Sequence, residues 1–164
     1  MIPIISIVGR SNTGKTTLIE KLVPELCRRG YHVATIKHAA GGFEIDRKGK
    51  DSWRHKKAGA YKTIIISPTE LAMTEVFERE YSVEELIDLY IKDADVVLLE
   101  GHKNNPYPKI EMLRKDFDSL PRDGIEHQWI AVVGDEKQDV GIPHFQTDEI
   151  QKLVDLLEER YLRS

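Results

Sequence analysis

The sequence predicts an α/β fold with a mostly parallel sheet, and three observations carry that prediction. Short apolar runs rich in β-branched residues alternate along the chain with amphipathic stretches of helical period. The runs at 4–8, 96–99 and 129–133 have almost no polar alternation, as expected of strands covered on both faces. A glycine-bearing stretch, Gly9 to Thr16, joins the first run directly to the first amphipathic segment.

In chain order, residues 4–8 read as a buried strand and residues 17–29 as a helix whose Leu18, Ile19, Leu22, Val23 and Leu26 share one face. Pro24 predicts a kink or an early end, because a proline inside a helix costs ~3 kcal/mol, and Gly30 suits the stop. Cys27 falls within this segment and reads as a helix-core thiol. Residues 32–36 form a second strand, and residues 39–53 a long polar loop, a length that in compact domains is often functional. A short helix follows over 52–58, then strands at 62–66 and 71–76 joined around Ser67-Pro68-Thr69 as a hairpin. Ser82-Val83-Glu84-Glu85 is a capping box that opens a helix to about Tyr90. A strand over 96–99 ends at Glu100-Gly101, a turn-rich loop spans 103–108, and a short strand covers 109–113. The strand over 129–133 closes on Gly134-Asp135, and Asp148 is placed to cap a last helix lined by Ile150, Leu153, Val154, Leu157 and Tyr161. Ligands of such sheets bind at the carboxyl ends of the strands, so Gly9, Lys37-His38, Glu100-Gly101 and Asp135 should gather on one rim.

A length of 164 residues suits one domain, 1–164, with a core of its own. A net charge of -4 gives no global field toward nucleic acid or an acidic membrane. One cysteine leaves no internal disulfide and no cysteine-based zinc site. The start, Met1-Ile2-Pro3-Ile4, runs straight into a strand without the pattern of a secretory signal, and no run reaches the ~18 apolar residues of a membrane span. The expectation is a cytoplasmic protein that binds neither membrane nor nucleic acid.

Gly9-Arg10-Ser11-Asn12-Thr13-Gly14-Lys15-Thr16 fits the phosphate-loop pattern G-x-x-x-x-G-K-S/T, in the required place between a strand and a helix. The glycines let the backbone curl so that successive N–H groups point inward, and the helix N-terminus adds about half a positive charge. Lys15 is expected to bridge the terminal phosphates of a nucleoside triphosphate, Thr16 to offer its hydroxyl to Mg²⁺, and Thr17 to complete the binding stretch. With the predicted sheet, this is the pattern of a P-loop NTPase: helices on both faces and a β-hairpin extension.

A triphosphate site also needs an acidic group at a strand end for Mg²⁺, and Glu100 occupies that position where aspartate is usual; a strand-end glutamate in solvent is the alternative. Asp46, in the long loop, is a candidate metal-shell or water-orienting group; a solvated loop carboxylate is the alternative. Lys15, Asp46 and Glu100 are the candidate catalytic residues, and Thr16, Asp46 and Glu100 the candidate metal residues. Arg47, Lys48, Lys50, Arg54, Lys56 and Lys57 read as a solvated basic face, or collectively as a site for an anionic second substrate. His38, His55 and His102 lack the spacing of a transition-metal site.

Four segments resemble the molybdopterin-guanine dinucleotide biosynthesis protein B family. They are residues 5–9 through Gly14-Lys15-Thr16-Thr17, Ala34-Thr35-Ile36-Lys37-His38, the stretch 46–52 with Arg54 and Ala58-Gly59-Ala60, and Leu99-Glu100-Gly101-His102-Lys103. The third segment and its spacing from the second are the most particular. The resemblance implies a GTP-binding adapter with weak GTPase activity, using GTP and Mg²⁺. It would assist the molybdenum cofactor guanylyltransferase that attaches GMP to molybdopterin, and would form a homodimer in which residues 62–76 extend the sheet. Whether it touches molybdopterin itself stays open. The chain lacks the Asn-Lys-x-Asp guanine signature; its counterpart is Val132-Val133-Gly134-Asp135-Glu136-Lys137, where Asp135 either offers two acceptor oxygens to guanine or is an ordinary turn residue. Two other readings remain: a small-molecule kinase with the basic loop as part of a lid, and a phosphate- or pterin-binding module without hydrolysis.

Overall fold

The computed structural model describes residues 1–113, 128–135 and 141–162. They divide into two compact units, Met1–His38 with Ile91–Ser164, and Ala39–Tyr90.

The first unit is built on β1 (Ile4–Val8), α1 (Lys15–Arg28) and β2 (Val33–Lys37), and continues after the second unit's chain segment. That second unit holds α2 (Asp51–Lys57), β3 (Lys62–Ile66), β4 (Leu71–Glu75) and α3 (Val83–Tyr90). The first unit then resumes with β5 (Val96–Glu100), β6 (Lys109–Met112), β7 (Trp129–Val133), β8 (His144–Phe145) and α4 (Ile150–Leu157). A π-helical turn, Glu158–Leu162, extends α4. The expected architecture, a mostly parallel central sheet flanked by helices, is the one adopted. Among the described residues, no helix is long and apolar enough to cross a membrane.

The six-stranded sheet runs β2-β5-β1-β6-β7-β8, with every described pairing parallel. All five residues of β1 and of β7 are buried, as continuous apolar runs require in a sheet covered on both faces. The edge strand β2 alternates between half-buried and exposed positions instead. One face packs Ile5, Ile7, Leu98 and Ile110 against Leu18, Leu22 and Leu26 of α1 and Leu153, Val154 and Leu157 of α4. Strand alternation sends Ser6, Lys109 and Glu111 to the other face, and a register shift between β6 and β7 sets Trp129 opposite Lys109; all four are buried.

Pro24 neither ends nor shortens α1, contrary to the expectation of an early stop. It sits on the exposed side, where water can serve the carbonyl its ring leaves without a helical donor, while Leu22 and Leu26 are fully buried. Their burial is worth about 1.5–3 kcal/mol each and outweighs the proline's cost of ~3 kcal/mol. Cys27 is exposed and is not the core thiol expected, because the buried row Leu18, Leu22, Leu26 advances by four and leaves Cys27 off the apolar face. Asp148 does not cap α4: Glu149 is the capping position and makes no side-chain cap bond. The Glu149 carboxylate instead accepts from the Gln146 N–H at 3.0 Å, closing the preceding turn. The capping box forms as read, with Glu85 N–H donating to Ser82 Oγ at 3.2 Å and Ser82 N–H to Glu85 Oε2 at 2.9 Å. Strand β8 is new; two residues carry no periodic signal.

In the second unit, β3 and β4 form an antiparallel hairpin sheet of their own, with Ile64 opposite Met73 and Ile66 opposite Leu71. Ile64, Ile65, Ile66 and Leu71 are all exposed.

Candidate functional site

The glycine-rich loop follows β1 and turns into α1 through three residues of positive φ: Gly9 at 144°, Asn12 at 62° and Gly14 at 102°. Gly9 is required by space as well. A Cβ there would stand 2.7 Å from the Met112 carbonyl oxygen and 2.9 Å from Thr13 Oγ1. Thr13 is buried and donates its hydroxyl to the Arg10 carbonyl at 2.9 Å, pinning the curl from inside. Arg10, Ser11, Asn12 and Thr17 are exposed, and Gly14 opens the helix, its carbonyl accepting from the Leu18 N–H at 2.9 Å. No acidic residue lies in the first turn of α1 itself, so the positive end of the helix faces the loop without a carboxylate of its own.

The Lys15 ammonium folds back over this loop, donating to the carbonyls of Gly9 at 3.0 Å and Arg10 at 2.7 Å. Those bonds hold the ammonium over the curl of the loop. Thr16 Oγ1 donates to Glu100 Oε1 at 3.0 Å, and Lys37 Nζ lies 3.4 Å from the same oxygen. The register explains the meeting: β5 lies between β1 and β2, with Ile7 opposite Glu100 and Lys37 opposite Glu100.

Gly9, Lys37-His38, Glu100-Gly101 and Asp135 all stand at carboxyl ends of parallel strands, on the expected rim. The His38 and His102 rings stack there, centroids 4.7 Å apart and planes 21° from parallel. Asp135, at the end of β7, is exposed, and its Oδ1 accepts from Thr147 Oγ1 at 3.1 Å. Glu136 and Lys137 lie outside the described residues. Asp46 belongs to the second unit, half-buried in the loop before α2. The basic residues that follow it are exposed, and Arg54 pairs loosely with Asp51 at 3.9 Å.

Several polar groups close to the loop escaped sequence reasoning. Glu111 sits opposite Val8, is only 5% exposed, and accepts from Trp129 Nε1 at 3.2 Å. Burial pushes its carboxyl above the ordinary value, against the pull of the Trp129 bond and of the Lys103 and Lys15 charges. Lys109 is 1% exposed, and burial draws its ammonium below the usual lysine value. The alternation Lys109-Ile110-Glu111-Met112 reads as a half-solvated strand, so the sequence carries no sign that both polar members are buried. Thr147 had no signal either, since its role depends on β8 bringing it beside Asp135.

The Thr16 hydroxyl and the Glu100 carboxylate are hard oxygen donors of the kind Mg²⁺ takes. Among the described residues, no group of three or more His, Cys, Asp or Glu could cage a metal alone. That suits Mg²⁺, which takes one or two protein oxygens and completes its shell from phosphates and water.

A parallel α/β sheet whose first strand ends in a curled anion loop, beside a carboxylate at the next strand's end, defines a phosphate-loop α/β protein. The family model for molybdopterin guanine dinucleotide synthesis protein B (MobB) matches residues 4–135. The molybdopterin-guanine dinucleotide biosynthesis adapter protein of Haemophilus influenzae is 34% identical over 96% of this chain and 88% of its own. Its Escherichia coli counterpart is also 34% identical, over 97% of this chain and 93% of its own. The crystal structure of Bacillus subtilis MobB superposes with a TM-score of 0.72 at 29% identity, covering 94% of this chain and 98% of that one. A second crystal structure of a molybdopterin-guanine biosynthesis protein B gives 0.70 at 32% identity, covering 98% and 99%. The chain belongs to the MobB family.

Proposed function

We propose that this chain is a GTP-binding adapter in molybdopterin guanine dinucleotide biosynthesis, acting in the cytoplasm as a homodimer beside the guanylyltransferase that joins GMP to molybdopterin. The observation that carries the nucleotide reading is the 3.0 Å contact of the Thr16 hydroxyl with the Glu100 carboxylate at the mouth of the loop. It sets two hard oxygens side by side, the donor type that would hold Mg²⁺. In this reading Gly9 to Thr17 hold the phosphates, Lys15 neutralises the terminal pair, and Thr16 and Glu100 hold Mg²⁺ directly or through water. Bound Mg²⁺ supplies charge neutralisation and alignment of the phosphates.

The base is read by Asp135. Its Oδ1 is steadied by Thr147, so the carboxylate presents acceptors in a fixed plane. Guanine offers two adjacent donors to such a plane, and adenine offers an acceptor at the first of those positions. Turnover is slow in this reading, because the sequence offers no recognisable arginine finger or glutamine to orient the attacking water, Arg10 of the loop being the nearest candidate.

Calorimetric titration with GTP and ATP, each with and without Mg²⁺, tests the proposal. Tighter binding of GTP that depends on Mg²⁺, and its loss in Lys15→Ala with the fold retained, is the expected result. Equal or better binding of ATP would remove guanine chemistry from this chain. Binding indifferent to Mg²⁺ and to the third phosphate would leave a simple anion site.

A further inference from the structure

Lys109 is among the largest fully buried side chains of the described residues, yet its ammonium has no carboxylate in ion-pairing distance among them. It donates to the carbonyl oxygens of Asn105 and Tyr107, the latter at 3.2 Å, and to Gln128 Oε1. Three donors meet three neutral acceptors. Burying an ammonium is costly, and here it is offset by three hydrogen bonds to neutral acceptors, two of them carbonyls of the loop before β6, so the lysine acts on that loop.

Its acceptors show what it organises. Asn105, also buried, donates through Nδ2 to Ser6 Oγ at 2.8 Å and to the His102 carbonyl, while its Oδ1 accepts from the Tyr107 N–H at 2.9 Å. Ser6 is the one hydroxyl in β1, fully buried, and its Oγ donates weakly to the Gly101 carbonyl at 3.5 Å. The peptide groups tied down in this way are those immediately after Glu100. They need tying, because Gly101 and His102 take consecutive positive φ values of 86° and 54°. For a histidine that conformation is disfavoured and persists only where surrounding bonds enforce it.

We infer that Lys109, acting through Asn105 and Ser6, is a positioning residue that fixes the turn after Glu100 and so sets the Glu100 carboxylate against Thr16 for the cation. The inference rests on the triphosphate reading of the loop. It goes beyond that reading by assigning metal affinity to a buried cation on a different strand, on the sheet face away from α1.

The test measures Mg²⁺ half-saturation of fluorescent GTP binding in the wild-type chain, Lys109→Met and Ser6→Ala, beside GTP affinity in EDTA. Both variants are expected to bind nucleotide in EDTA as the wild type does, and to need about tenfold more Mg²⁺ in Lys109→Met and several-fold more in Ser6→Ala. A general loss of fold would lower both affinities together and would not move the Mg²⁺ requirement alone. If Lys109→Met does not fold, Ser6→Ala decides, because it keeps the lysine and removes one hydroxyl. Wild-type Mg²⁺ dependence retained in the folded variants overturns the inference and leaves the nucleotide site standing. A wild-type chain indifferent to Mg²⁺ overturns the nucleotide reading and this inference with it.

Discussion

Two carboxylates on the first unit show how environment, more than residue type, decides what a side chain does. Asp135 is exposed and held by the Thr147 hydroxyl, so it is free to accept from a ligand. If it reads guanine, Asp135→Ala should cost GTP about 2–3 kcal/mol of binding, the usual penalty for a lost charge-assisted pair, and leave ATP unchanged. Comparing the two affinities checks this, and an equal loss for both nucleotides would exclude base reading. Glu111 is the opposite case, buried with an indole donor and its carboxyl pushed above the ordinary value by burial. The folded chain then holds a proton that the unfolded chain releases, so its contribution is fully present below the ordinary carboxylate value. It is lost as pH rises through the raised one. Glu111→Gln keeps an acceptor for Trp129 and cannot ionise. The variant should match the wild type in urea denaturation near pH 4 and be the more stable of the two at pH 8. A gap that does not change with pH would contradict the assignment. Asp135 was legible in sequence as a candidate acceptor for guanine, but its Thr147 partner twelve residues away was not, and Glu111 needed its burial to be noticed.

At the scale of elements, the tie between α1 and α4 is a charge network on top of a shared core. Arg29 donates to Glu25 at 2.8 Å, Asp155 at 2.6 Å, Glu158 at 2.8 Å and the Gln151 carbonyl at 3.0 Å. Tyr31 adds a bond to Glu158 at 3.2 Å. Exposed ion pairs contribute little, but Glu158 is buried, and taking away its cation leaves a desolvated charge poorly compensated. Arg29→Leu should lower stability by about 2–3 kcal/mol, measured by chemical denaturation, with most of the loss recovered by adding Glu158→Gln. Additive losses in the double variant would mean that the two do not act as a pair. The elements themselves were largely readable, because β1, β5 and β7 are continuous apolar runs and Ser82 with Glu85 form a real capping box. What the chain did not reveal was where local rules yield to packing. Pro24 stays inside α1 because two leucines flanking it are buried, and Asp148 loses the cap to a turn closed by Glu149. β6 was read as a short strand, but nothing in its length foretold that its polar members would be buried beside the phosphate loop.

At the scale of the whole molecule, the hairpin β3–β4 is what a single copy leaves incomplete. A two-stranded sheet is marginal in water unless further strands or a packed face support it. Here Ile64, Ile65, Ile66 and Leu71 are all exposed, on strands whose alternation sends them to both faces. Exposed apolar residues contiguous on a β-ribbon mark an interaction site or an aggregation hazard, and a second identical ribbon satisfies both strand edges and apolar faces at once. The wild-type chain should therefore sediment at about twice its 18.8 kDa mass at micromolar concentration. Ile66 and Leu71 are cross-strand partners and so share a face. Changing both to lysine puts like charges on that face and removes its apolar contact. In a lone chain, exposed substitutions of this kind cost roughly 0.5 kcal/mol or less each. In the dimer they should abolish association, so sedimentation equilibrium should give the monomer mass while the far-ultraviolet spectrum stays native. A wild-type chain that is monomeric at that concentration would refute self-association, and a double variant that stays dimeric would move the interface away from the hairpin.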